Sequence, residues 1–275
     1  MAPSGNLVSI ENLPVATLVS PGGRVVVAHR GASAGRPENT LEAFQLALDQ
    51  GADALEMDVQ VSADGVPLII HDPSTGRMGN VDLPVEASSA AALQGVDAGY
   101  GFRADGKQDY PWRGRGVVLP TLSQVLERFA AVPILLEIKS PRGQEQVRRV
   151  LDRHEACRHV IVASALHGAL RVFGDGVYLR SASRREIAWW YFLSLAGLSP
   201  GRRGYALLSM PQRKGTFELV APRRLASATG SGIPVHVWTI DDPAVATRLW
   251  HNGVTGIITN VPAVMVPLRQ DTRPT

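Results

Sequence analysis

The hydrophobic positions of this chain fall into short β-branched runs separated by longer stretches of helical spacing. The first run, residues 25–28, follows Pro-Gly-Gly and leads to His29. A run that is apolar at every position predicts a strand buried on both faces. Leu41, Phe44, Leu46, Ala47 and Leu48 come next, in the pattern of an amphipathic helix over 41–50. Asn39 or Thr40 is placed to cap that helix and Gly51 to end it. A second strand is predicted at 54–61, and Asp64–Gly65 is a hairpin signal that turns the chain into a return strand at 66–70.

Residues 73–120 carry little periodicity and many glycines and prolines. That is too long for a plain loop, so a functional insertion with structure of its own is expected there. Regular alternation then resumes. Helices are predicted at 121–129, 144–154, 165–173, 185–198, 222–229 and 244–252, and strands at 133–138, 160–163, 177–180, 205–209, 235–240 and 256–259. Strands alternating with helices mean βαβ units and a mainly parallel sheet. If the return strand of the hairpin is an extra, eight strands remain, and the pattern fits an α/β fold of the closed TIM-type (β/α)8 class in one domain. An open doubly wound sheet would want a glycine-rich turn after the first strand, and His29-Arg30-Gly31 is not one. The expected organisation is an N-terminal extension (1–24), a barrel (25–263) with the insertion at 73–118 after the 54–71 hairpin, and a C-terminal tail (264–275) that turns polar beyond Pro267.

Composition narrows the function classes. At 45% hydrophobic residues the 275-residue chain is globular rather than disordered. A net charge of +3 gives no case for nucleic acid. The arginine pairs 184–185, 202–203 and 223–224 read as solvated faces, with a weak pull on anionic substrates or lipid head groups as the lesser alternative. The single cysteine, Cys157, excludes an intrachain disulfide. No basic segment precedes an apolar core at the N-terminus, and the longest apolar window, 187–198, is well short of the roughly 20 residues that span a bilayer. The expectation is a cytoplasmic protein. Trp189-Trp190-Tyr191-Phe192 cannot all face one core; a packed surface helix is the simpler reading, and a transient membrane contact through 187–198 the alternative.

Candidate chemistry gathers at the ends of the predicted strands. Glu56 and Asp58 are spaced i, i+2 in Leu-Glu-Met-Asp-Val and share one face of a strand. Two adjacent carboxylates among apolar neighbours repel each other and need a cation; Mg²⁺ or Ca²⁺ with oxygen ligands meets that need, against the alternative of an exposed edge paired with Arg or Lys. Glu137, alone in Ile-Leu-Leu-Glu-Ile, would complete a three-carboxylate set, with Lys139 on the same face for a substrate phosphate; a structural Glu–Lys pair is an equal alternative. His29 and His71 are the acid–base candidates, flanked by Arg30, which could clamp a phosphate, and by Asp72. The other five histidines read as structural. Trp238 either walls a pocket or packs in the core.

These residues together resemble the glycerophosphodiester phosphodiesterase family. The motifs that carry the resemblance are His29-Arg30-Gly31, Pro37-Glu38-Asn39-Thr40, Glu56-Met57-Asp58, Asp64-Gly65, His71-Asp72, Leu119-Pro120-Thr121-Leu122, Glu137-Ile138-Lys139, Val237-Trp238-Thr239 and the stretch 253–259, in the family's order over about residues 25–263. The resemblance implies a TIM-type barrel and metal-dependent hydrolysis of glycerophosphodiesters to an alcohol and glycerol 3-phosphate. By position it implies a divalent cation (Mg²⁺ or Ca²⁺) on Glu56, Asp58 and Glu137, His29 and His71 as general acid and base in an unassigned order, and Arg30 and Lys139 on the phosphate. The substrate is then a small molecule. Water or the glycerol's own hydroxyl can supply the attacking oxygen. The alternatives are a lysophospholipid-acting phosphodiesterase at a membrane surface and a non-catalytic barrel that binds phosphate or lipid. Three departures stand out: Asn260 where an acid is common, Ala165–Leu166 in place of Phe–Asp, and a segment after His71-Asp72 without the usual leucine and arginine–threonine run.

Overall fold

The structure, a computed structural model, describes residues 10–104, 108–198 and 204–269. Residues 1–9, the Arg202–Arg203 pair and the end of the polar tail (270–275) lie outside the described residues. The strands are β1 (Val25–His29), β2 (Ala54–Val61), β3 (Pro67–Ile69), β4 (Ile134–Ile138), β5 (Val160–Ala163), β6 (Leu208–Pro211), the hairpin β7 (Arg213–Lys214) and β8 (Phe217–Glu218), β9 (Val235–Trp238) and β10 (Gly256–Thr259). The main sheet runs β5-β4-β2-β1-β10-β9-β6, parallel throughout. The circuit closes through parallel bridges from Val162 to Arg180 and from Ser181 to Leu207, so residues 180–181 act as an eighth stave between β5 and β6. The expected (β/α)8 barrel is therefore present. The return strand of the hairpin is the extra one: β3 pairs antiparallel with β2 outside the barrel circuit.

The helices are α1 (Ala16–Val19), α2 (Leu41–Asp49), α3 (Ala90–Gln94), α4 (Leu122–Arg128), α5 (Gln144–Arg153), α6 (Arg184–Leu195), α7 (Pro222–Gly230), α8 (Pro243–His251) and α9 (Pro262–Leu268). Side-chain caps start several of them. Thr40 caps α2, Thr121 with Gln124 forms a capping box on α4, Ser183 with Glu186 does so on α6, and Asp242 caps α8. The segment expected as a helix at 165–173 is a 3-10 helix, His167–Phe173. Leu166 offers no side-chain cap and Gly168 weakens its first turn.

Strand alternation divides the barrel. Val26, Ala28, Leu55, Met57, Val59, Leu136 and Ile138 point outward and pack beneath the helices. Val25, Val27, Ala54, Leu135, Ile161, Leu207 and Ile258 point inward, where five strands and α1 close an aliphatic floor through Val15 and Leu18. Further along the same inward faces, at the carboxyl ends of the strands, the residues become polar. The insertion has a core of its own, with Leu68, Ile70, Met78, Val85, Leu93 and Leu119 at its centre, and it sits beside β3. On α6, Trp190 is fully buried while Trp189 (54%) and Phe192 (65%) are exposed, as helical spacing requires. No helix among the described residues is long and apolar enough to cross a membrane.

Candidate active site

The site begins with the inward face of β2. Glu56, Asp58 and Gln60 follow one another at i, i+2 and i+4, and all three are buried. Register places Glu56 beside His29 of β1 and Asp58 beside Glu137 of β4. Glu56, Asp58 and Glu137 each offer an oxygen within 4.8 Å of the others. The three carboxylates expected to hold a cation thus converge, at the mouth of the barrel rather than on its floor.

Two cations of the chain face them. Lys139 Nζ lies 2.8 Å from Asp58 Oδ1 and 2.9 Å from Glu137 Oε2. Arg30 Nε pairs with Asp58 Oδ2 at 3.0 Å, and Arg30 Nη1 donates to Glu38 at 2.9 Å. Burial pushes the Asp58 carboxyl up, but Lys139 and Arg30 outweigh it and hold the group below its ordinary range. Glu56 fares differently. Its burial, reinforced by Asp58 and Glu137, drives its pKa well above the usual carboxylate value, and the same two cations do not offset this. Glu56 accepts a hydrogen bond from the Arg30 backbone N–H at 3.0 Å. An oxygen set with three carboxylates, two of them buried, one lysine and a shared arginine is short of positive charge when all three are ionised, which is the condition a divalent cation satisfies.

The turn after β1 holds this set in place by unusual backbone. Arg30 and Asn39 both adopt left-handed φ, 56° and 57°. Asn39 Nδ2 donates to Asp58 Oδ2 at 3.0 Å, and Asn39 Oδ1 accepts the Asp58 N–H at 3.3 Å. Gly31, at φ 84°, lies so close to α2 that a Cβ would meet the Ala43 carbonyl carbon at 2.5 Å. Pro37-Glu38-Asn39-Thr40 therefore does three jobs in four residues. Glu38 receives Arg30, Asn39 grips Asp58, and Thr40 starts α2.

The two histidines are held by different partners. His71 follows β3, and its Nδ1–H donates to Asp72 Oδ1 at 2.6 Å. Gln60 fastens this pair from β2 by donating to the carbonyls of His71 (3.0 Å) and Asp72. Arg77, from the insertion, bridges Asp72 (2.5 Å) and Glu38 (2.7 Å). Burial raises the Asp72 and Glu38 carboxyls, but the arginines beside them leave both below their ordinary values. His29 ends β1, and its Nδ1 lies 2.7 Å from Asn260 Oδ1. Burial, then the neighbouring Arg30, lowers the His29 pKa. Trp238 stands exposed at the end of β9, and no hydrogen bond or ring contact joins it to these groups among the described residues.

Glu38, Asn39, Gln60, Arg77 and Asp241, whose carboxylate accepts from the Asn260 side chain at 2.7 Å, belong to this network and were not among the site candidates read from the sequence, where Asn39 figured as a helix cap. Gln60 carried a signal, since it continues the i, i+2 series of Glu56 and Asp58. Arg77 lies in the aperiodic insertion and supplies an arginine in the segment that follows His71-Asp72.

A family model for the glycerophosphoryl diester phosphodiesterase family matches residues 29–264. A glycerophosphodiester phosphodiesterase of Caldanaerobacter subterraneus is 28% identical over 251 residues, covering 89% of this chain and 97% of that one. Among solved structures, the glycerophosphoryl diester phosphodiesterase domain of a Mycobacterium tuberculosis protein superposes with a TM-score of 0.76 at 20% identity, over 90% of this chain and 99% of that one. An Oleispira antarctica phosphodiesterase, solved with its product sn-glycerol-3-phosphate, gives 0.71 at 25% identity, over 90% and 96%. With the family model spanning most of the chain and the fold shared, the protein belongs to the glycerophosphoryl diester phosphodiesterase family of hydrolases.

Proposed function

We propose that the protein hydrolyses glycerophosphodiesters to an alcohol and glycerol 3-phosphate, with a divalent cation on Glu56, Asp58 and Glu137 and proton transfer by His29 and His71. The convergence of the three carboxylates beside an ion-paired lysine and arginine supports this reading most directly. The product bound to the Oleispira antarctica enzyme has the chemistry this site would release. When bound, Mg²⁺ or Ca²⁺ would offset the charge of the phosphoryl oxygens. The chain's own groups do the rest. Arg30 and Lys139 present further N–H donors toward the phosphate, one histidine takes the proton of the attacking oxygen, and the other returns a proton to the departing alcohol.

Release of glycerol 3-phosphate from glycerophosphocholine and glycerophosphoethanolamine tests the reading, with chelation and separate add-back of Mg²⁺ and Ca²⁺. Turnover lost on chelation and restored by one cation is expected. No product from any glycerophosphodiester, with either cation present, would leave a barrel that only binds phosphate or lipid. His29→Ala and His71→Ala should each remove most turnover and leave cation binding intact, whereas Glu56→Ala should weaken it. Phosphorus NMR separates direct attack by water from a route through a cyclic phosphate.

A second reading has one observation in its favour. The outward face of α6 carries Trp189, Phe192 and Leu195, all exposed, with Arg184 and Arg185 at its head. Exposed Phe217 of the β7–β8 hairpin meets Tyr191 at 6.4 Å between ring centres, and Arg213 and Lys214 of the same hairpin are also exposed. An apolar face rimmed by cations suits the surface of an anionic membrane, where the substrate would be a lysophospholipid. Sedimentation with phosphatidylglycerol vesicles, and relative turnover of lysophosphatidylcholine and glycerophosphocholine, decide between a free and a lipid-borne substrate.

A further inference from the structure

We propose that Asn260, oriented by Asp241, is a positioning residue that fixes His29 as the tautomer protonated on Nδ1 and leaves the lone pair on Nε2. This rests on the reading that His29 takes part in proton transfer.

The direction of each hydrogen bond follows from what the atoms can do. Asp241 Oδ1 accepts from the Asn260 backbone N–H and from Thr259 Oγ1, both at 2.8 Å, and Oδ2 lies 2.7 Å from the Asn260 side chain. An ionised carboxylate only accepts, so the Asn260 amide must turn its NH₂ toward Asp241. That turns Asn260 Oδ1 the other way, where Ser33 Oγ (2.8 Å) and His29 Nδ1 (2.7 Å) meet it. An amide oxygen only accepts as well, so the hydrogen must sit on His29 Nδ1. Ser33 Oγ also lies 2.9 Å from the His29 carbonyl, and the Ala34 N–H donates to the Asn260 carbonyl at 3.2 Å, which ties the β1–α2 turn to the end of β10. Asp241 thus reads through two hydrogen bonds into the imidazole, and the amide's single allowed orientation carries the information.

The chemistry that needs this is the first proton transfer. The O–H bond of the attacking hydroxyl breaks, its proton joins the lone pair on His29 Nε2, and its electron pair forms the new bond to phosphorus. The oxygen of the departing alcohol keeps the electrons of the broken P–O bond and takes a proton from His71. The other tautomer would present an N–H to the attacking oxygen and could not accept. His71 is held through Nδ1 too, but by a carboxylate. The amide at 260 therefore places an acceptor behind His29 without a charge of its own.

Three variants at positions 241 and 260 and one spectrum, assigned with a fourth variant, test this. Long-range proton–nitrogen correlation of the neutral imidazole, assigned by loss of the signal in His29→Gln, should show Nδ1 protonated in the wild type and a tautomer mixture in Asn260→Ala. Asn260→Ala should lose about 10- to 100-fold in kcat with KM within about threefold, the scale of removing a group that orients a catalytic histidine. Asn260→Asp should be impaired because it sets two carboxylates face to face. The double swap Asp241→Asn with Asn260→Asp rebuilds a donor facing an acceptor and should recover kcat to within about threefold of the wild type. The swap also keeps the test open if Asn260→Ala fails to fold. The proposal is overturned if Asn260→Ala keeps wild-type kcat, if its His29 remains wholly Nδ1-protonated, or if the swap is no better than Asn260→Asp alone. A wild-type protein without phosphodiesterase activity would instead count against the functional reading, because the tautomer is still read from the spectrum.

Discussion

His236 offers a quantitative test of the barrel interior. It lies mid-strand on β9 with no solvent exposure, its ring against Gly256 of β10, where an added Cβ would meet the imidazole at 2.5 Å. It shares the inward face with the aliphatic floor, and burial depresses its pKa to about 4 from the ordinary 6.5. The native state therefore holds the neutral ring, while the unfolded chain takes up a proton near its ordinary pKa. Stability from this residue is complete above about pH 6.5, declines as the pH falls toward 4, and is flat below that. The gap between the two values is worth about 3 kcal/mol in full and about 2 kcal/mol at about pH 5. At roughly 2–4 °C per kcal/mol for a domain of this size, the melting temperature should drop about 4–8 °C between pH 8 and pH 5 through this residue alone. Urea and thermal unfolding of the wild type and His236→Leu across that range isolate it. Any cavity left by leucine is independent of pH and leaves the slope unaffected, and His29 and His159, also held low by burial, are present in both proteins. Parallel curves for the two proteins would refute the reasoning.

Glu56→Gln should stabilise the cation-free protein by about 1 kcal/mol at neutral pH, since it removes a carboxyl whose ionisation burial and two neighbouring carboxylates oppose, while cation affinity falls; urea unfolding and a cation titration read the two effects. Arg77→Met should cost under about 1 kcal/mol in unfolding, because Arg77 is half exposed, yet lower turnover about tenfold by freeing Asp72 from its second partner; an undiminished initial rate would show that the arginine is only a surface ion pair. Gly31→Ala should destabilise by about 2–4 kcal/mol, from left-handed backbone and a Cβ driven into Ala43, and a melting temperature unchanged from the wild type would contradict this close packing of the turn on α2.

What the sequence made legible follows the period of the strand. Glu56, Asp58, Glu137 and Lys139 could be placed because alternation in a buried strand assigns each side chain a face, and a polar residue on an apolar run marks the end that opens to solvent. The hairpin was legible from Asp64–Gly65, and with it the return of His71 toward β2. Where local pattern is weak, tertiary structure decides. The stave expected at 177–180 pairs instead at 180–181, since Val177 is exposed and the Tyr178 hydroxyl turns to Asp152. The strand expected at 205–209 is β6, Leu208–Pro211, with a bridge at Leu207. Glu38, Arg77 and Asp241 lie on connections, and what each one touches is set by how distant elements meet, not by spacing.

The distribution of charge along β2 shows why the fold separates stability from chemistry. Ala54, at the start of its inward face, joins the aliphatic floor, and two residues on the same face already carries a carboxylate. Closing the barrel buries the floor whatever stands at the mouth, so the mouth can hold groups that oppose folding: a glutamate whose ionisation burial disfavours, two residues in left-handed backbone, and a histidine whose charging burial disfavours. The groups at the mouth are secured by neighbours from other strands or turns: Asp58 by Asn39, His71–Asp72 by Gln60 and Arg77, His29 by Asn260. Three of the four securing residues, Asn39, Gln60 and Asn260, are neutral amides, which fix direction without adding charge; Arg77 is the exception. In a site already crowded with carboxylates, that choice lets position be controlled while the balance of charge rests on Lys139, Arg30 and Arg77.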